Sequence, residues 1–137
     1  MSDKPASDAR AECRCGRLSA TVTGEPIRIS VCHCLACQRR SGSAFAVQAR
    51  FDPADVRIEG ESREWRRTTD SGNVTVYRFC PECGSTVWYQ GGPLPQAIAI
   101  PVGAFADPGF PPPLLSVWEK RKHEWVAILG DEVEHRD

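Results

Sequence analysis

The chain has almost no net charge: 17 Lys and Arg stand against 18 Asp and Glu, a formal balance of −1. Phosphate-rich partners and anionic bilayers both need clustered cations, so neither nucleic acid nor a membrane is an expected partner. Long hydrophobic runs are missing too. Nothing approaches the ~20 apolar residues of a membrane-crossing helix, and Pro101 breaks the best stretch, residues 97–105. Residues 1–12 hold no apolar centre of the kind an export signal carries, so a reducing, cytoplasmic setting is expected. Apolar residues make up only 41% of the 137 positions, which allows one domain with a modest core.

What is present is punctuation and sulfur: eleven Gly, eleven Pro and seven Cys. Between the turns apolar residues alternate, as they do in half-buried strands. Leu18, Ala20 and Val22 share one face, and Ile27, Ile29 and Val31 repeat the pattern before Cys32. Further strands are expected around Phe45, Val47 and Ala49, around Val56 and Ile58, from Val74 towards Phe79, and over residues 86–89 and 97–100. Residues 116–125 fit a short helix or an extended segment equally well. The predicted architecture is mainly β, a sandwich of short strands with little helix. Its single domain spans residues 11–130, between a flexible tail at 1–10 and a charged tail at 131–137. No feature of the sequence fixes an oligomeric state.

The cysteines fall into three clusters: Cys13-x-Cys15, Cys32-x-Cys34-x-x-Cys37 and Cys80-x-x-Cys83. Neighbours this close suit a shared metal ion better than a disulfide, whose geometry demands a wider Cα separation. Glycine sorts them. Cys15 and Cys83 are each followed by Gly, which admits the positive φ of a tight thiolate turn, whereas Cys37 is followed by Gln38. On that basis Cys13, Cys15, Cys80 and Cys83 form a closed structural zinc site. Such a site can contribute about 10–16 kcal/mol in small peptides. Cys32, Cys34 and Cys37 are left as three ligands with an open position, the pattern of catalytic zinc, so two Zn²⁺ per chain are expected. Three other readings stand beside this one. A distant fourth ligand such as His123 or His135 would close the triad. A zinc ribbon would pair Cys34 and Cys37 with Cys80 and Cys83. Thiol–disulfide exchange at Cys80-Pro81-Glu82-Cys83 would need a βαβ setting that the chain lacks. His33, between two cysteines, should point away from where their sulfurs converge.

These segments resemble the glutathione-dependent formaldehyde-activating (GFA) family, also described as the centromere protein V domain. The matching motifs are Cys13-Arg14-Cys15-Gly16, Cys32-His33-Cys34-x-x-Cys37 followed by Arg39-Arg40-Ser41-Gly42-Ser43, and Phe79-Cys80-Pro81-Glu82-Cys83-Gly84, within residues 11–128. The resemblance implies an Mss4-like β fold stapled by zinc, with the outer cysteine pairs structural and the middle triad catalytic. It implies a carbon–sulfur lyase of the S-(hydroxymethyl)glutathione synthase type, in which a thiol such as glutathione adds reversibly to formaldehyde or a related small aldehyde. In the segment Ser116-Val117-Trp118-Glu119 the chain departs from the pattern, with Ser116 where relatives often carry a histidine.

Arg39 and Arg40 follow the triad and are candidate contacts for the carboxylates of such a thiol, or offsets for the anionic metal cluster. His33 reads as a satisfied structural histidine or a proton shuttle. Trp65, Trp88, Trp118 and Trp125 read as core or rim. Arg63, Arg66 and Arg67 read as a solvated strand face. The alternative to an enzyme is a non-catalytic zinc-binding interaction module with both metal sites closed.

Overall fold

The structure is a computed structural model that describes residues 8–69 and 72–137. Eleven strands and one short helix are found among them: β1 (Ala9–Glu12), β2 (Ser19–Val22), β3 (Arg28–Cys32), α1 (Leu35–Ser41), β4 (Ala46–Phe51), β5 (Val56–Glu59), β6 (Arg63–Thr68), β7 (Val74–Phe79), β8 (Thr86–Gln90), β9 (Ile98–Pro101), β10 (Leu115–Val117) and β11 (Glu134–His135). The fold is mainly β, in keeping with an Mss4-like sandwich. No helix among the described residues is long and apolar enough to cross a membrane.

Two sheets form. The smaller has the order β1-β2-β5; the larger runs β11-β10-β3-β4-β9-β8-β7-β6. Every pairing is antiparallel except β10, which lies parallel to both β3 and β11. The alternation read from the sequence decides which side faces in. Leu18, Ala20 and Val22 of the small sheet's side pack against Ala49, Phe51, Val87, Ile98 and Ile100 of the large sheet. Phe51 meets Phe105 at a ring separation of 6.2 Å. This is the dry core, and it uses one face of β3 and β4.

The opposite face of the same strands is polar yet also covered. Residues paired across strands point to the same side. Register therefore sets Arg28 beside Arg50, Ser30 beside Gln48 and Cys32 beside Ala46. Ser30, Gln48 and Arg50 are nevertheless buried. β10 covers one flank of this face, with Leu115 paired to Ser30 and Val117 to Cys32. Tyr89 and Tyr77 flank the other side, in register across β8 and β7.

Some sequence expectations meet a different outcome. Ala9 and Arg10, read as the end of the first tail, pair with Val22 and Thr21; residues 1–7 of that tail lie outside the described residues. Glu134 and His135, read as part of the charged tail, add an edge strand to β10. Residues 116–125 are neither one helix nor one strand: β10 ends at Val117, and a single 3-10 turn over Glu119–Arg121 follows. Trp65, Trp118 and Trp125 are exposed, and only Trp88 is partly sheltered against the core.

Candidate functional site: two cysteine clusters and an arginine-lined cavity

The first cluster joins the sheets. Cys13 and Cys15 lie just after β1 of the small sheet, and Cys80 and Cys83 lie in the turn between β7 and β8 of the large one. Each pair sits in a tight turn closed by a glycine N–H: Gly16 donates to the Cys13 carbonyl and Gly84 to the Cys80 carbonyl. Both glycines adopt positive φ, +85° and +81°. The Leu18 and Glu82 backbone N–H groups donate to the Cys13 and Cys80 sulfurs at 3.2 and 3.3 Å. Cys13–Cys15 and Cys15–Cys80 sulfurs are each 3.6 Å apart, and all four lie within 4.8 Å of one another. A tetrahedral zinc with Zn–S of ~2.3 Å requires S···S of about 3.8 Å, so the cluster has the size of the ion. The Ser85 hydroxyl and backbone N–H hold the Cys83 thiol down, at about 5, already in the thiolate form that ligation needs.

The second cluster is local. β3 ends on Cys32, Cys34 is the N-cap of α1, and Cys37 lies in its first turn. The Cys37 N–H donates to the Cys34 sulfur at 3.3 Å, which folds the three thiols onto one point within 4.8 Å. Cys34 takes up the negative charge: hydrogen bonds from Cys32 and Cys37, and from the Cys37 and Ala36 N–H groups, hold it at about 2. The same closeness pushes Cys32 and Cys37 upwards. Three sulfurs this near cannot all ionise alone; a divalent soft cation removes that conflict, so the donor set suits zinc. No fourth His, Cys, Asp or Glu ligand atom joins the group among the described residues. His123 is taken by Gln38, at 2.9 Å from its amide oxygen, and His135 by Glu119. All seven cysteines are free of disulfides.

Beside the triad a cavity of about 380 Å³ opens on the polar face of β3 and β4, with Cys32 and Cys37 in its wall. Five arginines line it (Arg28, Arg40, Arg50, Arg67 and Arg136), with no Asp or Glu among the described residues. Such a volume suits a small molecule, and the lining suits an anionic one.

Residues 8–121, most of the chain, match the family model described as glutathione-dependent formaldehyde-activating enzyme. The chain belongs to the GFA family. Among solved structures it is similar to a crystal structure of a Rhodobacter sphaeroides protein, a structural-genomics target. That likeness has a TM-score of 0.57 at 23% identity, covering 75% of this chain and 91% of the other, and it concerns the fold. No curated protein matches the chain.

In this GFA chain both cysteine clusters are able to hold metal, and the family is associated with zinc. The two arginines singled out after the triad part company. Arg40 reaches the cavity, its guanidinium 5.0 Å from the Tyr89 ring centre and 5.6 Å from that of Tyr77. Arg39 lies on another surface, beside Gly42, Ser43 and Trp125. His33 is fully buried and turned away from the sulfurs, with Nε2 2.9 Å from the Ser116 hydroxyl and Nδ1 without a partner. Trp118, in a left-handed conformation at φ +59°, forms part of the cavity wall.

Sequence reasoning missed Ser30, Gln48, Arg50, Tyr77 and Tyr89. A signal was there: in Arg28-Ile-Ser30-Val-Cys32 and Gln48-Ala-Arg50 every second residue is polar. Such alternation usually marks a solvent face, and only the covering elements turn it into a cavity.

Proposed function

We propose that this protein makes and breaks a carbon–sulfur bond between an anionic thiol, glutathione or a similar molecule, and formaldehyde or a related small aldehyde. The observation that carries this is the three-cysteine cluster opening onto a cavity lined by five arginines and, among the described residues, by no acidic one. In this reading Cys32, Cys34 and Cys37 hold a catalytic zinc, and Cys13, Cys15, Cys80 and Cys83 hold a structural one. Zinc at the triad supplies a Lewis acid that favours the thiolate form of an incoming sulfur and polarises an aldehyde oxygen.

The chain's own groups do the rest. The sulfur's electron pair forms the new bond to the aldehyde carbon, the C=O pair moves onto oxygen, and the proton lost by the thiol ends there. The product is a hemithioacetal, and no oxidant is required. Arg40, pinned over Tyr89 and Tyr77, sets positive charge in the wall shared with Cys37 and steers an anionic thiol towards it. Leu115, Val117 and Trp118 close one side against water and hold the two reactants together.

Exchange NMR on zinc-loaded protein tests the reading. The formation rate of S-(hydroxymethyl)glutathione from glutathione and formaldehyde should rise above the uncatalysed rate, and Cys34→Ala should abolish the rise. No acceleration by the intact protein removes this substrate pair. A cobalt-substituted triad that ignores added thiol would favour a closed, non-catalytic zinc module instead.

A further inference from the structure

Arg50 is 6% exposed, and a guanidinium so deeply covered ordinarily has a carboxylate beside it. Here none is present among the described residues. Its Nε has no partner, and Nη1 reaches only the Ser30 hydroxyl, at 3.4 Å. Burying an unpaired charge is costly, so the arrangement is built for something that arrives.

The neighbours sharpen this. The Tyr89 O–H donates to the Gln48 side-chain carbonyl at 3.1 Å, and the Gln48 amide N–H donates to the Ser30 oxygen at 2.9 Å. With Arg50 also donating to it, the Ser30 oxygen has both lone pairs engaged, and its own proton is left to point at a ligand. The Gly91–Gly92 turn brings backbone close as well: a Cβ on Gly92 would stand 3.5 Å from Arg50 Nη2. The Arg50 guanidinium and the Ser30 hydroxyl both offer donors to the cavity, and an oxyanion is what such a pair selects.

We propose that Arg50 and Ser30 form an oxyanion subsite at the floor of the cavity, which selects thiols carrying a carboxylate some distance from the sulfur. The distance follows from register. Ser30 lies two residues along β3 from Cys32, and the Arg50 guanidinium folds back to the Ser30 row, so sulfur and carboxylate are separated by about 7 Å. Thiols whose carboxylate sits next to the sulfur are too short to engage both ends. This rests on the reading of the triad as the place where the thiol sulfur reacts.

Calorimetry on zinc-loaded protein, with ω-mercaptohexanoate, ω-mercaptohexanol, mercaptoacetate and sulfur-free hexanoate as probes, tests the subsite without reference to turnover. The long acid should bind at least about tenfold more tightly than the alcohol of the same length, and more tightly than mercaptoacetate. Arg50→Gln should erase the acid–alcohol gap, and Arg50→Lys should keep part of it, with circular dichroism and zinc content confirming folded variants. Equal affinity of acid and alcohol in the unaltered protein, or a gap that survives Arg50→Gln, overturns the proposal. Absence of the gap in the wild type overturns the proposal even if a variant fails to fold, and Arg50→Lys then serves where Arg50→Gln does not fold. Should hexanoate bind in an Arg50-dependent way while no thiol outcompetes it, the subsite stands and the thiol–aldehyde reading falls. Should thiols turn over while acid and alcohol bind alike, the reverse holds.

Discussion

Replacing Cys80 with Ser probes the division of labour between the clusters. Cys80 is fully buried, and its sulfur lies 3.6 Å from that of Cys15, 65 positions earlier in the chain. A metal at this cluster closes a loop of that length. The chain-entropy relation for a cross-link then gives about 4 kcal/mol, against a total of about 5–15 kcal/mol for a typical domain. Cys34→Ser removes a ligand from a cluster whose members all lie between Cys32 and Cys37. Loop-closure entropy makes that loss smaller by about 2 kcal/mol. Urea unfolding of the metal-loaded proteins, followed by tryptophan fluorescence, separates the two. With a slope of ~2 kcal/mol per molar, Cys80→Ser should lower the midpoint by about 2 M and Cys34→Ser by about half as much. Equal losses, or a larger loss for Cys34→Ser, would refute the assignment of the sheet-joining cluster as the staple.

Three further expectations are open to measurement. Metal analysis of the purified protein should find about two zinc ions per chain, and a chelator strong enough to remove both should lower the melting temperature sharply. Ser116→Ala strands the buried His33 Nε2 and should cost about 1–3 kcal/mol in chemical denaturation; an unchanged midpoint would mean that the bond contributes nothing. Burial pushes the Glu119 carboxyl up, but hydrogen bonds from Ser116 and His135 outweigh it and hold it below the ordinary range. A depressed carboxyl stabilises the fold above its unfolded pKa, about 4.3, and that contribution is lost as pH falls through the folded value. The difference in melting temperature between the wild type and Glu119→Gln should therefore shrink as pH falls from neutrality to below about 4.

Much of the site was legible beforehand because metal ligation is written locally. The glycines after Cys15 and Cys83 marked the two tight turns, and both take positive φ as that reading required. The position of His33 between Cys32 and Cys34 implied a side chain turned away from the sulfurs, as found. Strand alternation likewise named the core residues Leu18, Ala20, Val22 and Ala49, because one face of each strand must meet another sheet. Arg39 and Arg40 were indistinguishable as neighbours in sequence. Only the turn of α1 sends Arg40 to Tyr89 and leaves Arg39 on another surface.

The sequence alone thus determined the β character and the family, which rest on spacing and short-range stereochemistry. Its glycine spacing favoured a partition of the sulfurs into four and three, which the folded chain then brings together in preference to a ribbon pairing. Tertiary structure decided what lies beyond the triad. The parallel insertion of β10 beside β3, more than 80 residues away, brings Ser116 to His33 and covers the polar side of the sheet. The edge strand β11 then settles on β10 across only 19 positions, Leu115 facing Glu134. Whether a polar residue on an alternating strand meets water or a ligand depends on what covers that face. That covering makes Arg50 a buried charge in want of a partner.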